Sequence, residues 1–289
     1  MSLFITSLAS GSNGNCYYIG NNTEAILVDA GITCKEIETR IKRLSLSIEK
    51  IKAIFISHEH ADHIRGVPVL AKKYNLPVYI TTQTLKNGRL HIDKKLARSF
   101  NAFDPISIGD LDITAFPKYH DAADPYSFTI RFKDLKVGVF TDIGQPCQHL
   151  INHFSQCHAA FLESNYDDDM LDAGSYPYFL KTRIRGGKGH LSNKQALELF
   201  TSHRPDFMSH LFLSHISKNN NCPNLVEQLF NQHAGNTKII IASRFQETAV
   251  YKLSNPAVNI STQLPVTMAI FPVSASQLSF SFDDEMKSA

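Results

Sequence analysis

Ile54-Phe55-Ile56-Ser57-His58-Glu59-His60-Ala61-Asp62-His63 places four potential metal ligands within six residues, directly after an apolar run. Short runs rich in Val, Ile and Phe read as buried strands. Alternate residues of an extended segment point the same way, so His58 and His60 are placed to chelate one ion. Asp62 to Tyr74 then has helical spacing, with Ile64, Val67, Leu70 and Ala71 on one face. The chain changes direction there, which lets Asp62 and His63 face a second ion beside the first. The competing reading is an exposed His-rich loop with Asp62 as a helix cap. Four potential ligands packed this densely behind a buried strand weigh against it.

Three further apolar runs end the same way. Ile113-Thr114-Ala115-Phe116-Pro117-Lys118-Tyr119 leads into His120, Val137-Gly138-Val139-Phe140-Thr141 into Asp142, and Leu211-Phe212-Leu213-Ser214 into His215. If these strands lie side by side with their C-terminal ends together, all seven side chains converge on one edge. His120 then completes the first ion with His58 and His60, and His215 completes the second with Asp62 and His63. Asp142, with two carboxylate oxygens, joins both. Alone, Asp142 before Ile143-Gly144 would read as an Asx turn, and a lone His at a strand end as a solvated residue. Imidazole suits zinc, and carboxylate oxygen also admits manganese. Two divalent metal ions, Zn or Mn, are therefore expected, with an open position for water between them.

The 289 residues are 43% hydrophobic with a net charge of +2, ample for a sizeable core and too mild to announce a nucleic-acid binder by charge alone. No stretch reaches the length of a membrane span, and Met1 to Thr6 lacks the pattern of a secretory signal. Cys16, Cys34, Cys147, Cys157 and Cys222 are odd in number and scattered, without C-x-x-C spacing. That excludes a disulfide framework and points to a reducing, cytoplasmic setting.

Strands are expected at Leu3 to Leu8, Cys16 to Ile19, Ala25 to Asp29 and Val78 to Thr81. A second series covers Leu111 to Phe116, Tyr126 to Phe132, Lys136 to Thr141, Ala159 to Glu163, His210 to Ser214, Lys238 to Ala242 and Ala249 to Leu253. Helices are expected at Lys35 to Leu44, Ser192 to His203 (opened by a Ser192/Gln195 capping box) and Asn224 to His233. Two series of strands with interspersed helices fit an α/β architecture of two sheets packed face to face with helices outside. From Asn255 the composition shifts to Ser, Pro and Thr. Val266 to Phe271 and Leu278 to Phe282 read as edge strands of a C-terminal extension over 255–289.

His58, His60, Asp62, His63, His120, Asp142 and His215, in this order over residues 1–254, resemble the signature of the metallo-β-lactamase superfamily. The resemblance implies a four-layer αββα sandwich of two mixed sheets and a two-metal hydrolytic site. Ser7 to Cys16, His120 to Pro125, Leu162 to Asn165, Gly189 to Asn193 and Ser214 to Asn220 are similar to the YycJ (WalJ, VicX) branch of that superfamily. That branch implies DNA exonuclease activity and, in some bacteria, a link to a cell-wall two-component system. On this resemblance Ser12, Asn13, Asn165 and Lys218 join the substrate-binding residues. Tyr166, where the branch commonly has His, and the extension beyond Asn255 are departures.

A phosphate substrate also has support from Lys181-Thr182-Arg183-Ile184-Arg185-Gly186-Gly187-Lys188-Gly189-His190, a basic, Gly-rich segment ahead of a helix N-terminus. Lys181, Arg183, Arg185 and Lys188 would hold phosphates there; a solvated loop is the equal alternative. His190 would contact phosphate or protonate a leaving oxygen, or else simply point to solvent. Ser10 to Gly14 lacks the P-loop pattern. The expected chemistry is hydrolysis by a hydroxide shared between two metals, with Asp62 orienting the water or accepting its proton, on nucleic acid, DNA foremost. A small-molecule hydrolase acting on a thioester, lactone or cyclic phosphodiester, and a non-catalytic regulatory protein, are the rivals.

Overall fold

Most strands of this chain are apolar at successive positions rather than alternate ones, because both faces of each sheet are covered. The computed structural model describes residues 2–254. One seven-stranded sheet has the order β14-β1-β2-β3-β4-β5-β6. Its strands are β1 (Ser2–Ala9), β2 (Cys16–Gly20), β3 (Ala25–Val28), β4 (Ile51–Phe55), β5 (Val78–Tyr79), β6 (Ala97–Arg98) and the returning β14 (Tyr251–Ser254). The other has the order β13-β12-β11-β10-β9-β8-β7. It comprises β7 (Pro105–Ile108), β8 (Leu111–Pro117), β9 (Tyr126–Phe132), β10 (Leu135–Phe140), β11 (Ala159–Glu163), β12 (His210–Ser214) and β13 (Lys238–Ile241).

Three apolar layers hold these sheets. Between them lie Ile5, Tyr17, Val28 and Phe55 of the first sheet against Ile113, Phe128, Phe161 and Phe212 of the second. Outside the first sheet, Leu27 and Ile54 meet α1 (Cys34–Arg43) and α3 (Val67–Tyr74) through Ile37, Ile41 and Leu70. Outside the second, Phe140, Leu162 and Leu213 meet α5 (Gln148–Phe154), α8 (Asn193–His203) and α9 (Pro223–Asn231). Full burial of each large apolar side chain contributes about 1.5–3 kcal/mol. The result is the expected four-layer αββα sandwich.

Strand direction gathers the site. β3, β4, β5 and β6 run parallel, and so do β10, β11, β12 and β13. β8 pairs antiparallel with β9, and β9 with β10, so β8 points the same way as β10. The residues following β4, β8, β10 and β12 therefore emerge along one edge.

The expected helix from Asp62 to Tyr74 is two pieces, α2 (Ala61–Ile64) and α3. The break has a steric cause. Gly66 N–H donates to Ala30 O, and a β-carbon at Gly66 would fall 2.1 Å from Ile32 O. Pro68 then suits the first turn of the new helix. The strand expected through Thr81 stops at Tyr79, because Thr81 caps α4 (Thr82–Asn87) by accepting from Thr84 N–H. The Lys181–Arg185 stretch, for which no helix is expected from the sequence, is helical: α6 (Asp168–Ala173) and α7 (Tyr178–Arg185) precede a turn at Gly186 and Gly187. The capping box at Ser192 and Gln195 is present. All five cysteines are free thiols. The expected edge strands at Val266–Phe271 and Leu278–Phe282 lie outside the described residues. No described helix is long and apolar enough to cross a membrane.

Gly31 makes the tightest of these approaches, since a β-carbon there would fall 1.6 Å from Asp62 O. Gly31→Ala should destabilise the fold by at least the about 1–3 kcal/mol typical of overpacking and should weaken metal binding by displacing Asp62. Urea denaturation with metal analysis checks this. A wild-type midpoint and metal content would show that the contact relaxes freely.

Candidate metal centre

Three imidazoles meet where β4 and β8 end. His60 Nδ1 lies 3.0 Å from His58 Nε2 and 3.3 Å from His120 Nε2. Imidazole nitrogens this close share either a proton or a metal cation between them. Beside them, His215 Nε2 is 3.4 Å and His63 Nε2 3.5 Å from Asp62 Oδ2. Asp142 stands between the two groups. Its Oδ1 lies 3.5 Å from His215 Nε2 and 3.8 Å from His120 Nε2, and its Oδ2 lies 3.2 Å from His63 Nε2. Within each group the donor atoms lie within 4.8 Å of one another.

The opposite side of four of these rings, those of His58, His63, His120 and His215, is held by the protein. His63 Nδ1 donates to Asp29 Oδ2 at 2.7 Å. The Ser57 hydroxyl gives its proton to the same carboxylate oxygen, so it accepts from His58 Nδ1 at 2.9 Å. His120 Nδ1 donates to Gly189 O, and His215 Nδ1 to Glu163 Oε1. Such partners fix the tautomer and turn Nε2 inward with its lone pair exposed. Glu163 also receives His190 Nδ1 at 2.7 Å and the Ile143 N–H at 2.7 Å. Buried Lys118 donates to Thr141 O, tying the end of β8 to the end of β10.

Asp29, Asp142 and His215 share a backbone conformation. Each follows a strand end and has positive φ, at 60°, 56° and 53°. Residues with side chains seldom adopt this region, and the cost is about 1–3 kcal/mol each. The left-handed turn throws the side chain back over the sheet edge instead of continuing the strand. Beyond Asp142, Gly144 lets the Gly187–Lys188 backbone approach; a β-carbon there would fall 2.4 Å from Gly187 O.

The site is rich in buried carboxylates, and that decides its charge. Burial opposes charge on His63, yet Asp142, Asp29 and Asp62 outweigh it and hold its pKa well above the usual imidazole value. Burial likewise opposes charge on His215, but Asp142, Asp62 and Glu163 raise it to about 10. His58 and His120 go the other way. Burial dominates there, lowering His58 well below the ordinary value and His120 to about 3. Burial works against ionisation of Asp142, but His215 and His63 hold its carboxyl well below the usual range. One half of the centre demands positive charge and the other offers neutral nitrogen donors.

The remaining residues singled out in the sequence are placed unequally. His190 is part-exposed, with its ring centroid 5.3 Å from that of His120 and 5.2 Å from that of His215. Asn165 donates to His215 O, so it supports a ring rather than facing outward. Ser12, Asn13 and Lys218 are exposed. In the 10–15 turn it is Ser10 and Asn15 that touch the centre: Ser10 Oγ accepts from His215 N–H, and Asn15 Nδ2 donates to Asp62 Oδ2. The basic segment is partly neutralised. Arg183 pairs with Asp121 at 2.5 Å, Arg185 with Asp172 at 2.5 Å, and Lys181 donates to Asp172 O. Lys188, on the turn that supplies Gly189 O to His120, is exposed, and so is Arg183, whose partner Asp121 lies 3.4 Å from His120 Nε2.

Asp29 and Glu163 were given no role by the sequence reading. Both obey the rule that revealed the others, an apolar run closed by a polar residue: Ala25-Ile26-Leu27-Val28 before Asp29 and Ala159-Ala160-Phe161-Leu162 before Glu163. They act one step back from the centre, orienting its rings. Glu59, inside the dense motif, turns away and accepts from Ala123 N–H.

Divalent metal fits this donor set. The donors are imidazole nitrogens and carboxylate oxygens, the ligands such ions take. Asp142 Oδ2 is fully buried with no hydrogen-bond partner among the described residues, a costly state that a bound cation removes. The family model described as the metallo-beta-lactamase superfamily matches residues 9–178. The chain is 35% identical over 237 residues to the exodeoxyribonuclease YycJ of Bacillus anthracis, covering 80% of this chain and 89% of that one. It is 34% identical over 233 residues to the exodeoxyribonuclease WalJ of Streptococcus pneumoniae, covering 78% and 87%. Among solved structures, the metallo-beta-lactamase fold protein YhfI from Bacillus subtilis matches with a TM-score of 0.68 at 16% identity, over 88% of this chain and all of that one. Zn(2+)-bound PqqB from Methylobacterium extorquens matches at 0.67 and 14%, over 87% and 100%. The superfamily binds divalent metal through His and Asp clusters of this kind. With its family match, its full-length relatives and its fold in agreement, the chain belongs to the metallo-β-lactamase superfamily.

Proposed function

We propose that this chain is a two-metal phosphodiesterase that degrades DNA from an end. The observation that carries the hydrolytic part is Asp142, whose carboxylate lies 3.8 Å from His120 of one group and 3.5 and 3.2 Å from His215 and His63 of the other. DNA as substrate rests on the exodeoxyribonuclease relatives, which align along 87–89% of their length. A regulatory protein that had abandoned catalysis would have no reason to keep every ligand together with Asp29, Ser57 and Glu163 behind the rings.

His58, His60 and His120 would hold one ion; Asp62, His63 and His215 the other; Asp142 would touch both. The imidazole-rich first set suits zinc, and the carboxylates of the second also admit manganese. Two divalent cations in such a centre supply Lewis acidity and a nucleophile at neutral pH. Asp62, part-exposed and held by Asn15, would accept the proton released as attack on phosphorus begins. Glu163 engages His190 Nδ1, leaving Nε2 to hydrogen-bond the phosphoryl oxygen or to protonate the departing one. Lys188 would steady a flanking phosphate.

His190→Gln should lower kcat on DNA by about 10²–10⁴-fold, the usual reach of general acid–base catalysis, without changing metal content. A wild-type rate in steady-state assays would remove His190 from the chemistry. Lys188→Ala should flatten the dependence of log K on log salt by roughly 0.7–0.9, one phosphate contact. Lys181→Ala, farther from the centre and engaged with Asp172, should leave that slope unchanged. Equal effects of the two variants in salt titrations would place the phosphate track elsewhere.

A further inference from the structure

A cavity of about 360 Å³ opens beside the His215 half of the centre, and none of its lining residues is acidic. That volume lies within the range of ligand pockets, roughly 300–1,000 Å³. Ser10 joins it to the centre: its Oγ accepts from His215 N–H at 2.8 Å, and its own N–H donates to Ser243 O at 3.1 Å. Ile216, Lys218, Asn221, Arg244 and Phe245 contribute to its walls. Lys218 is exposed. Arg244 is half-buried, with one guanidinium nitrogen donating to Ile216 O at 2.5 Å and another to Asn13 Oδ1 at 3.1 Å. These bonds fix the plane of the guanidinium and leave it further N–H donors. Phe245 is 74% exposed, a large apolar surface that packing among the described residues does not explain.

Its charge sets this pocket apart from the basic helix α7. There Arg183 and Arg185 are neutralised by Asp121 and Asp172. Here Lys218 and Arg244 stand without a carboxylate among the lining residues, next to an exposed aromatic ring. Paired cations with a free π-face are what a single-stranded nucleotide requires: phosphate for the cations, a base for the ring. A base inside a duplex is stacked on both faces and cannot use Phe245.

Resting on the proposed nuclease function, we infer that this pocket holds an unpaired nucleotide of the substrate strand next to the scissile phosphate. Lys218 and Arg244 bind its phosphate, and Phe245 stacks on its base. Arg244 also braces the 10–15 turn against the 215–218 segment, so the occupied pocket steadies Asn15 and, through it, Asp62.

The test uses the full chain, loaded with metal, and a fluorescein-labelled phosphorothioate oligothymidylate that resists hydrolysis, with anisotropy as the readout. Phe245→Ala should weaken binding about tenfold, the order expected for one base stacked on an aromatic ring. Phe245→Trp should restore it. Lys218→Ala should reduce the salt slope by roughly 0.7, one contact to a single strand. Phe103→Ala, an exposed aromatic elsewhere on the surface, should leave the affinity unchanged. Wild-type affinity in Phe245→Ala, equal loss in Phe103→Ala, or no binding by the wild type would each overturn the inference. Binding with this pattern by an enzyme that cleaves no DNA would leave the pocket standing and overturn the nuclease reading instead.

Discussion

A buried carboxylate between two clusters of imidazoles is the constraint that organises this molecule. Burying a carboxylate costs several kcal/mol unless positive charge meets it, and Asp142 is almost wholly enclosed, with His63 Nε2 3.2 Å from an oxygen that has no hydrogen bond among the described residues. The surroundings answer with positive charge. Carboxylates around His63 and His215 favour positive charge in that half, while burial keeps His58 and His120 neutral. A protein that gained nothing from a cation here would be more stable with an apolar residue at this position.

Much of the architecture follows from delivering side chains to Asp142. Parallel strands bring their C-terminal ends to one edge, and left-handed turns at Asp29, Asp142 and His215 fold side chains back over it. Gly31, Gly66 and Gly144 remove β-carbons where loops must touch. Asp29 and Glu163 each serve more than one group, so a few buried acids fix the rotation of four rings. The strain in the turns and the burial of charge are offset by the apolar layers, which lie away from the edge.

The layers, most strands and the seven converging side chains were legible because each leaves a local mark. Val137 to Phe140 is apolar throughout since both faces of its sheet are covered, and His58, His60, Asp62 and His63 are dense enough to stand out. What escaped depends on contacts distant in sequence. The split between α2 and α3 comes from the Ala30–Ile32 loop, which no periodicity within 62–74 reveals. The segment carrying Lys181, Arg183 and Arg185 stands out by its charge and glycines, yet it is helical up to Arg185, with Arg183 meeting Asp121 far back in the chain and Arg185 meeting Asp172 of the preceding helix. Asp29 and Glu163 carried the same signature as the ligands, but a single carboxylate at a strand end has many structural uses.

The central claim is that Asp142 unites two metal sites. Anomalous scattering from crystals of the metal-loaded protein, with elemental analysis of the wild type and Asp142→Ala, tests it most directly. The account predicts two ions per chain, one among His58, His60 and His120 and one among Asp62, His63 and His215, with Asp142 at both and both sites impaired in Asp142→Ala. Full double occupancy in that variant, or a loaded wild type with no metal beside His58, would contradict it.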